Sequence, residues 1–285
     1  DLGAIVSGGD PRFSLGKVED YRLLSFGQLK TTLSERFANG AIEIGIVGDV
    51  DEAAAIALVG KTFGALPRRE AEFRPYAAER DRPFTRERKR HVLRHTGAKD
   101  QALVVYIWPT RDGEDLTAAL QLELLERVMR IEMTDNLREK LGKAYSPGAS
   151  SNASRTWRNY GTFSVNASVD VREVPATRAA IAGTVAELRD APISDDVLTR
   201  AREPMLENLD NALKTNAGWL AYVDRAQTEP DRIERYVRSK EALKAITPAQ
   251  LQAVAKQYLT PEAALEVNVL PEGVGDPVAG PQAPR

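Results

Sequence analysis

The amino-acid sequence predicts an α+β fold in which helices pack on one face of a largely antiparallel sheet. Three features carry that expectation. Apolar or alternating runs of strand length recur along the chain, a long helical stripe separates the early strands from the middle ones, and the later part is mostly helical before one last strand. The resulting order in the main unit is β-β-α-β-β-α-α-β, unlike the strict alternation from which a parallel sheet is wound.

The first recognisable unit begins at Ile42–Val47 (IEIGIV), which reads as a buried strand. Gly48-Asp49-Val50-Asp51 then turns the chain into a helix, with Asp51 as N-cap and Glu52 favourable in the first turn. Ala55, Ile56, Val59 and Phe63 recur at helical spacing, and Gly64 with Leu66-Pro67 supplies the stop. From Arg68 to Arg90 the chain is charge-rich and punctuated by proline, which places a boundary near Arg80.

Beyond it, His91–His95 and Ala102–Trp108 read as two strands joined through Thr96-Gly97. Residues 115–141 form a long helix whose stripe is Leu120, Leu124, Val128 and Ile131. Strands are expected at Tyr145–Ser151 and Gly161–Val169; in the second, Phe163, Val165, Ala167 and Val169 alternate with Ser164, Asn166 and Ser168, giving one buried and one wetter face. Helices follow over Ala176–Arg189, after a cap at Ser194, and from Thr247-Pro248 with Gln250 completing a capping box. Pro204 is expected to kink or split the second of these. A strand at Ala264–Leu270 precedes a Pro/Gly-rich end. The domain reading is therefore 1–80, a strand-turn-helix tail of an α/β unit; 81–271, an α+β unit; and 272–285, a tail.

Composition narrows the function. With 285 residues the chain can bury a sizeable core. The near balance of 39 basic and 41 acidic residues gives no electrostatic reason to expect a nucleic acid as partner. The absence of cysteine removes disulfides, thiolate metal sites and a cysteine nucleophile. No apolar run reaches the length of a membrane span, and the start at Asp1, without Met, suggests a processed or cut chain.

Most chemical candidates have simpler explanations. His91 and His95 have the spacing of two zinc ligands on a helix, but the segment reads as a strand, and Val92, Leu93 and Arg94 supply no general base between them. With two histidines in all and no G-x-S-x-G elbow, a serine relay has no support. Asp49 and Asp51 are accounted for by a turn and a cap, and Gly45 and Gly48 complete no dinucleotide fingerprint. Asn152 and Asn166 begin glycosylation-type triplets short enough to arise by chance.

LREKLGKAYSPG, residues 137–148, is different. Leu124, Ile131 and Arg138 are seven apart, so Arg138 continues the core-facing stripe of its helix; Tyr145 follows seven residues later, after Gly142 lets the helix stop. A guanidinium and a phenol converging at one end of the sheet suit the gripping of peptide carbonyls or the stabilisation of a carbonyl oxygen as charge develops. An Arg capping carbonyls beside a Tyr filling the sheet edge accounts for the same pattern more simply.

Two longer stretches resemble the C-terminal part of the pitrilysin/insulinase family of zinc metallopeptidases, the inverzincins. They are IEIGIVGDVDEAAAIALVGKTFGALPRR, with its strand, G-D-x-D turn, helix and F-G-x-L-P-x-R ending, and LREKLGKAYSPGASSNASRTWRNYGTFSVNASV, with an R-x6-Y element and the strands after it. The resemblance implies homologous repeats forming two halves around an extended peptide. Arg138 and Tyr145 match the substrate-contacting pair, with Tyr145 polarising the scissile carbonyl in trans to the zinc. No H-x-x-E-H occurs here, so the chain should hold no metal and be inactive alone, the zinc being expected in another half.

The expected function is thus a non-catalytic, substrate-binding half of a zinc metalloendopeptidase that degrades peptides. A zinc-free structural or peptide-binding homologue is the alternative. The implied partners are a peptide and an N-terminal zinc-bearing half or separate catalytic subunit, and self-association of the lone chain is allowed. Family resemblance favours the periplasm over the cytoplasm.

Overall fold

The computed structural model describes residues 2–141 and 147–277, with side chains other than those of 138–141. Among the described residues the helices are α1 (Leu2–Ser7), α2 (Val18–Arg22), α3 (Phe26–Asn39), α4 (Glu52–Thr62) and α5 (Leu116–Leu141). They continue as α6 (Val174–Asp190), α7 (Asp195–Ala212), α8 (Asn216–Val223), α9 (Arg232–Lys244) and α10 (Pro248–Tyr258). The strands are β1 (His91–His95), β2 (Gln101–Thr110), β3 (Gly148–Ala153), β4 (Gly161–Asp170) and β5 (Leu265–Pro271). The chain divides into two compact units, one of Asp1–Ser14, Glu79–Leu206 and Glu241–Arg285, the other of Leu15–Ala78 and Glu207–Lys240.

The first unit holds a five-stranded sheet in the order β1-β5-β2-β4-β3. Only β1 and β5 are parallel; the other neighbours are antiparallel, so the fold is α+β as the sequence predicts. β2 is a nearly continuous apolar run because it lies inside the sheet, paired with β4 on one side and β5 on the other. β4 shows the expected alternation, with Phe163, Val165, Ala167 and Val169 buried and Thr162, Ser164 and Asn166 partly exposed.

Opposite partners share a face, so Val104 and Trp108 of β2 lie with Ala167 and Phe163 of β4. That face is covered by α5, α6 and α10 through Leu125, Met129, Met133, Ile181, Val185 and Leu251, all buried. On the other face Val6 of α1, flanked by Phe84, closes over Val105, Ile107, Leu265 and Val267.

Three expectations need correction. β1 and β2 are not a hairpin, because β5 inserts between them: Leu93 and Leu103 both face Val269, one from each side. A parallel neighbour cannot be reached by a tight turn, which is why local sequence pointed to the wrong pairing. Ile42–Val47 forms no ladder among the described residues, since a strand gains its hydrogen bonds only from a neighbour. Finally, Pro204 does not split α7, which runs through it as one helix, although that residue leaves the Arg200 carbonyl without its α-helical donor.

The caps form as read. Asp51 accepts from Ala54 N–H, Ser194 from Val197 N–H, and Thr247 and Gln250 complete a reciprocal box. One polar cluster ties the end of the chain to the sheet. Glu266 of β5 has its Oε1 2.5 Å from Arg90 Nε and 2.9 Å from Arg178 Nε, and it accepts from Asn268 Nδ2 at 2.9 Å. Arg178 also pairs with Asp276 and donates to the Pro277 carbonyl at 2.7 Å.

Within the second unit, Arg36 and Arg74 share the carboxylates of Glu35 and Glu70, whose pKa values those guanidinium hydrogen bonds hold down to about 2. Glu43 accepts from Gln227 N–H and Thr228 Oγ1, and the space beside Gly45 is bounded by Leu220 and Val223. Leu23, Phe26 and Phe37 remain exposed.

Candidate functional site

The candidate site is built on α5. Its N-terminal turns are buried through Leu120, Leu124 and Val128, which lie along the stripe read from the sequence. Ile131, the next member, is only partly buried, so the stripe leaves the core there. Asn136 fixes the later turns on α6 by donating to Thr184 Oγ1 at 2.8 Å and Glu187 at 3.1 Å, while Leu137 remains buried. Arg138 lies on the last two turns of this helix; its side chain, and the whole of Tyr145, lie outside the described residues.

On the far side of that junction β3 is the outermost strand, and α5 closes part of its free edge. Arg130 Nη2 donates to the Ala149 carbonyl at 2.8 Å and to Glu126 Oε1 at 2.7 Å; Glu126 Oε2 accepts Ser151 N–H at 2.9 Å. The ion pair thus supplies one donor and one acceptor, in the way a neighbouring strand would. Glu126→Ala is expected to strand the Ser151 N–H, cost about 1–3 kcal/mol of stability and promote edge-to-edge association. Thermal melting with sedimentation checks this, an unchanged melt and monomer being the contrary result.

Beside this clamp, α5 and α7 form the walls of an open cleft of about 320 Å³. Arg127, Arg130, Ile131 and Asp135 line it from α5, and Arg200 and Pro204 from α7. Its lining carries three guanidiniums against one carboxylate. Nearby Glu132 has its pKa raised by burial first and then by Asp135 and Glu187, with Arg200 acting in the opposite direction.

The histidines do not build a metal centre. They lie on strand β1 two pleats apart; His95 is engaged by the Gln101 carbonyl and Gly97 N–H, each at 3.0 Å, and His91 is 3.6 Å from Glu87. Among the described residues no group of three or more His, Asp or Glu side chains is placed to hold a metal ion. Nor is any described helix long and apolar enough to cross a membrane.

Sequence reading missed the clamp and the cleft. The i, i+4 spacing of Glu126 and Arg130 was a visible signal for the ion pair, but not for its contact with β3. The convergence of Arg127 and Arg200 is a tertiary fact without a local signature.

A five-stranded mixed sheet carrying a long helix between β2 and β3 defines an α+β domain. Residues 24–205 match the family described as Peptidase M16 inactive domain, and the chain belongs to that family, as the C-terminal part of an M16 protein. No curated protein matches the chain.

Among solved structures, a protease from Helicobacter pylori is similar at 14% identity with a TM-score of 0.71, over 90% of this chain and 61% of that one. A conserved protein from Enterococcus faecalis V583 gives 18% identity and a TM-score of 0.74, over 96% of this chain and 63% of its own. A peptidase M16 inactive domain from Pseudomonas fluorescens gives 17% identity and 0.68, over 97% of this chain and 65% of its own. At these identities the likeness is one of fold, and the chain spans less than two thirds of each of the three.

Proposed function

We propose that the chain is the non-catalytic, substrate-binding half of a zinc metalloendopeptidase, pairing with a zinc-bearing half and gripping an extended peptide with Arg138 and Tyr145. One observation carries this: the sequence of this M16 inactive domain has the R-x6-Y element and no H-x-x-E-H. The residues present do not fit zinc, for the donor set here is two strand histidines, one of them already held by two backbone groups. What this chain supplies is position and polarity. Arg138 offers a fork of N–H donors to peptide carbonyls, and the Tyr145 O–H donates to the scissile carbonyl oxygen as it becomes negative.

The reading extends to the domain order: residues 1–80 as the tail of a preceding repeat and 81–271 as a final one. The capping box of Ser25 and Gln28 on α3, followed by Ile42–Val47, repeats along the chain the box of Thr247 and Gln250 on α10, followed by β5. In that correspondence Ile42–Val47 is a central strand awaiting neighbours, which also accounts for the exposed Leu23, Phe26 and Phe37.

Reconstitution tests the proposal. The chain is mixed with the H-x-x-E-H half from the same source, and hydrolysis of a quenched fluorescent peptide is followed. Activity is expected only with both halves together. Full activity of the zinc half alone defeats the proposal, whereas an inactive and zinc-free assembly supports a peptide-binding homologue without proteolysis.

A further inference from the structure

We infer, on the reading of residues 1–80 as the tail of a preceding repeat, that Ile42–Val47 is a docking strand with a neighbour on each edge. One neighbour is antiparallel and one parallel, and both come from the remainder of the M16 polypeptide of which this chain is the C-terminal part.

The second unit, residues 15–78 and 207–240, has no apolar core of its own. Ser239 is its one buried residue among the described residues, and every exposed large apolar side chain of the chain except Leu2 lies in it. Its helices α3, α4 and α8 bury no residue at all. Helices of 8–14 residues do not persist in water without an apolar face against another layer, so the layer that these are patterned for comes from outside. Residues 41–47 are in the same state: among the described residues none of their backbone N–H or C=O groups bonds to another backbone group.

The form of the missing layer is written in the chain itself. Ala41-Ile42-Glu43-Ile44-Gly45-Ile46-Val47 repeats Ala264-Leu265-Glu266-Val267-Asn268-Val269-Leu270 position for position, keeping Ala and Glu and, apart from Gly45, exchanging only aliphatic residues. Each follows a helix that opens with a reciprocal Ser/Thr–Gln capping box. The same face meets helical structure in both. Glu266 pairs with Arg178 of α6, while Glu43 accepts from Gln227 N–H and Thr228 Oγ1, and a Cβ at Gly45 would stand 3.7 Å from Val223 of α8. Leu265 and Val267 are buried because β1 and β2 flank β5 and α1 packs over it, whereas Ile42 is 44% and Ile46 50% exposed. The two segments share a pattern and differ in neighbours.

The register of β5 gives the geometry. Ile107, Val105 and Leu103 of β2 stand opposite Leu265, Val267 and Val269, so the antiparallel donor sets apolar side chains opposite Ile42, Ile44 and Ile46. Leu93 of β1 stands opposite Val269, so the parallel donor sets one opposite Ile46. A second copy of this chain cannot fill both places, because a two-fold axis within a sheet pairs strands antiparallel. The relatives leave room for a donor, since this chain spans less than two thirds of each.

Hydrogen exchange read by mass spectrometry tests this on the 285-residue chain and on the full-length M16 polypeptide that contains it. In the chain alone, amides 42–47 should exchange at the rate of an unfolded peptide while those of β5 stay protected. In the full polypeptide both segments should be protected, the first slowed by about 100-fold or more. Proline then reads each edge, because successive N–H groups of a strand point to opposite neighbours. Ile44→Pro and Gly45→Pro should each lower the melting temperature of the full polypeptide by roughly 5–10 °C and leave that of the chain alone unchanged.

A loss from only one of the two prolines means a single neighbour and overturns the two-sided docking, while the preceding repeat stands. Protection in the chain alone that rises with its concentration does the same, in favour of a second copy. Exchange of residues 42–47 as fast in the full polypeptide as in the chain alone overturns both the docking and the preceding repeat. The substrate-binding role is judged apart from all three, by the effect of Tyr145→Phe on peptide hydrolysis.

Discussion

Tyr145→Phe in the assembled two-half peptidase is expected to lower kcat/KM by about 10²–10³-fold. The substitution keeps the ring and removes one hydroxyl donor, so the loss would read the proposed hydrogen bond to the developing oxyanion. Because that bond strengthens in the transition state, kcat should carry most of the loss and KM little. Arg138→Lys is the companion: a point charge in place of a planar fork should raise KM, as grip on the peptide backbone weakens before and during reaction alike. Zinc content of the assembly should be unchanged in both variants. Unaltered steady-state kinetics for Tyr145→Phe would remove the phenol from the chemistry.

The second large effect is on stability. Glu266→Ala is expected to cost about 3–5 kcal/mol, because it takes the shared anion from a largely buried cluster. The Arg178 side chain is 10% exposed and that of Glu266 14%, whereas Arg90 is 40% exposed and can turn to water. Without Glu266, Arg178 keeps only Asp276 and the Pro277 carbonyl, both on the chain end, and Asn268 loses the acceptor for its Nδ2. Burial beside that same carboxylate raises the Tyr106 phenol above its ordinary pKa. Replacing Arg178 and Glu266 together by Met and Leu should recover much of the loss, since the desolvation of both charges disappears with them. Urea unfolding of the two single variants and the double one measures this; additive losses would show that the pair is not coupled.

Much of the fold is legible in the chain because its signals are local. β4 announces its buried face by alternation, and Asp51, Ser194 and Thr247 mark helix starts by side chains that must bond the first free N–H groups. Pairing is not local. Nothing between His91 and Trp108 reveals that Leu265–Pro271 enters between those strands, and Ile42–Val47 carries the pattern of a strand without the neighbour that makes one. At the candidate site, the motif singles out Arg138 and Tyr145, whose side chains lie outside the described residues, while the Glu126–Arg130 clamp and the cleft between α5 and α7 depend on where α5 meets β3 and α7.

The place of β5 carries a consequence for synthesis. The ribosome delivers β5 well after β1 and β2, although it is the strand that joins them, and among the described residues β1 has no other partner in the sheet. At about 5–20 residues per second, the interval between them lasts from several seconds to roughly half a minute, during which two apolar strand edges stand open. A nascent chain of this kind depends on shielding until β5 emerges, and a premature stop before Leu265 would release a product with both edges unclosed.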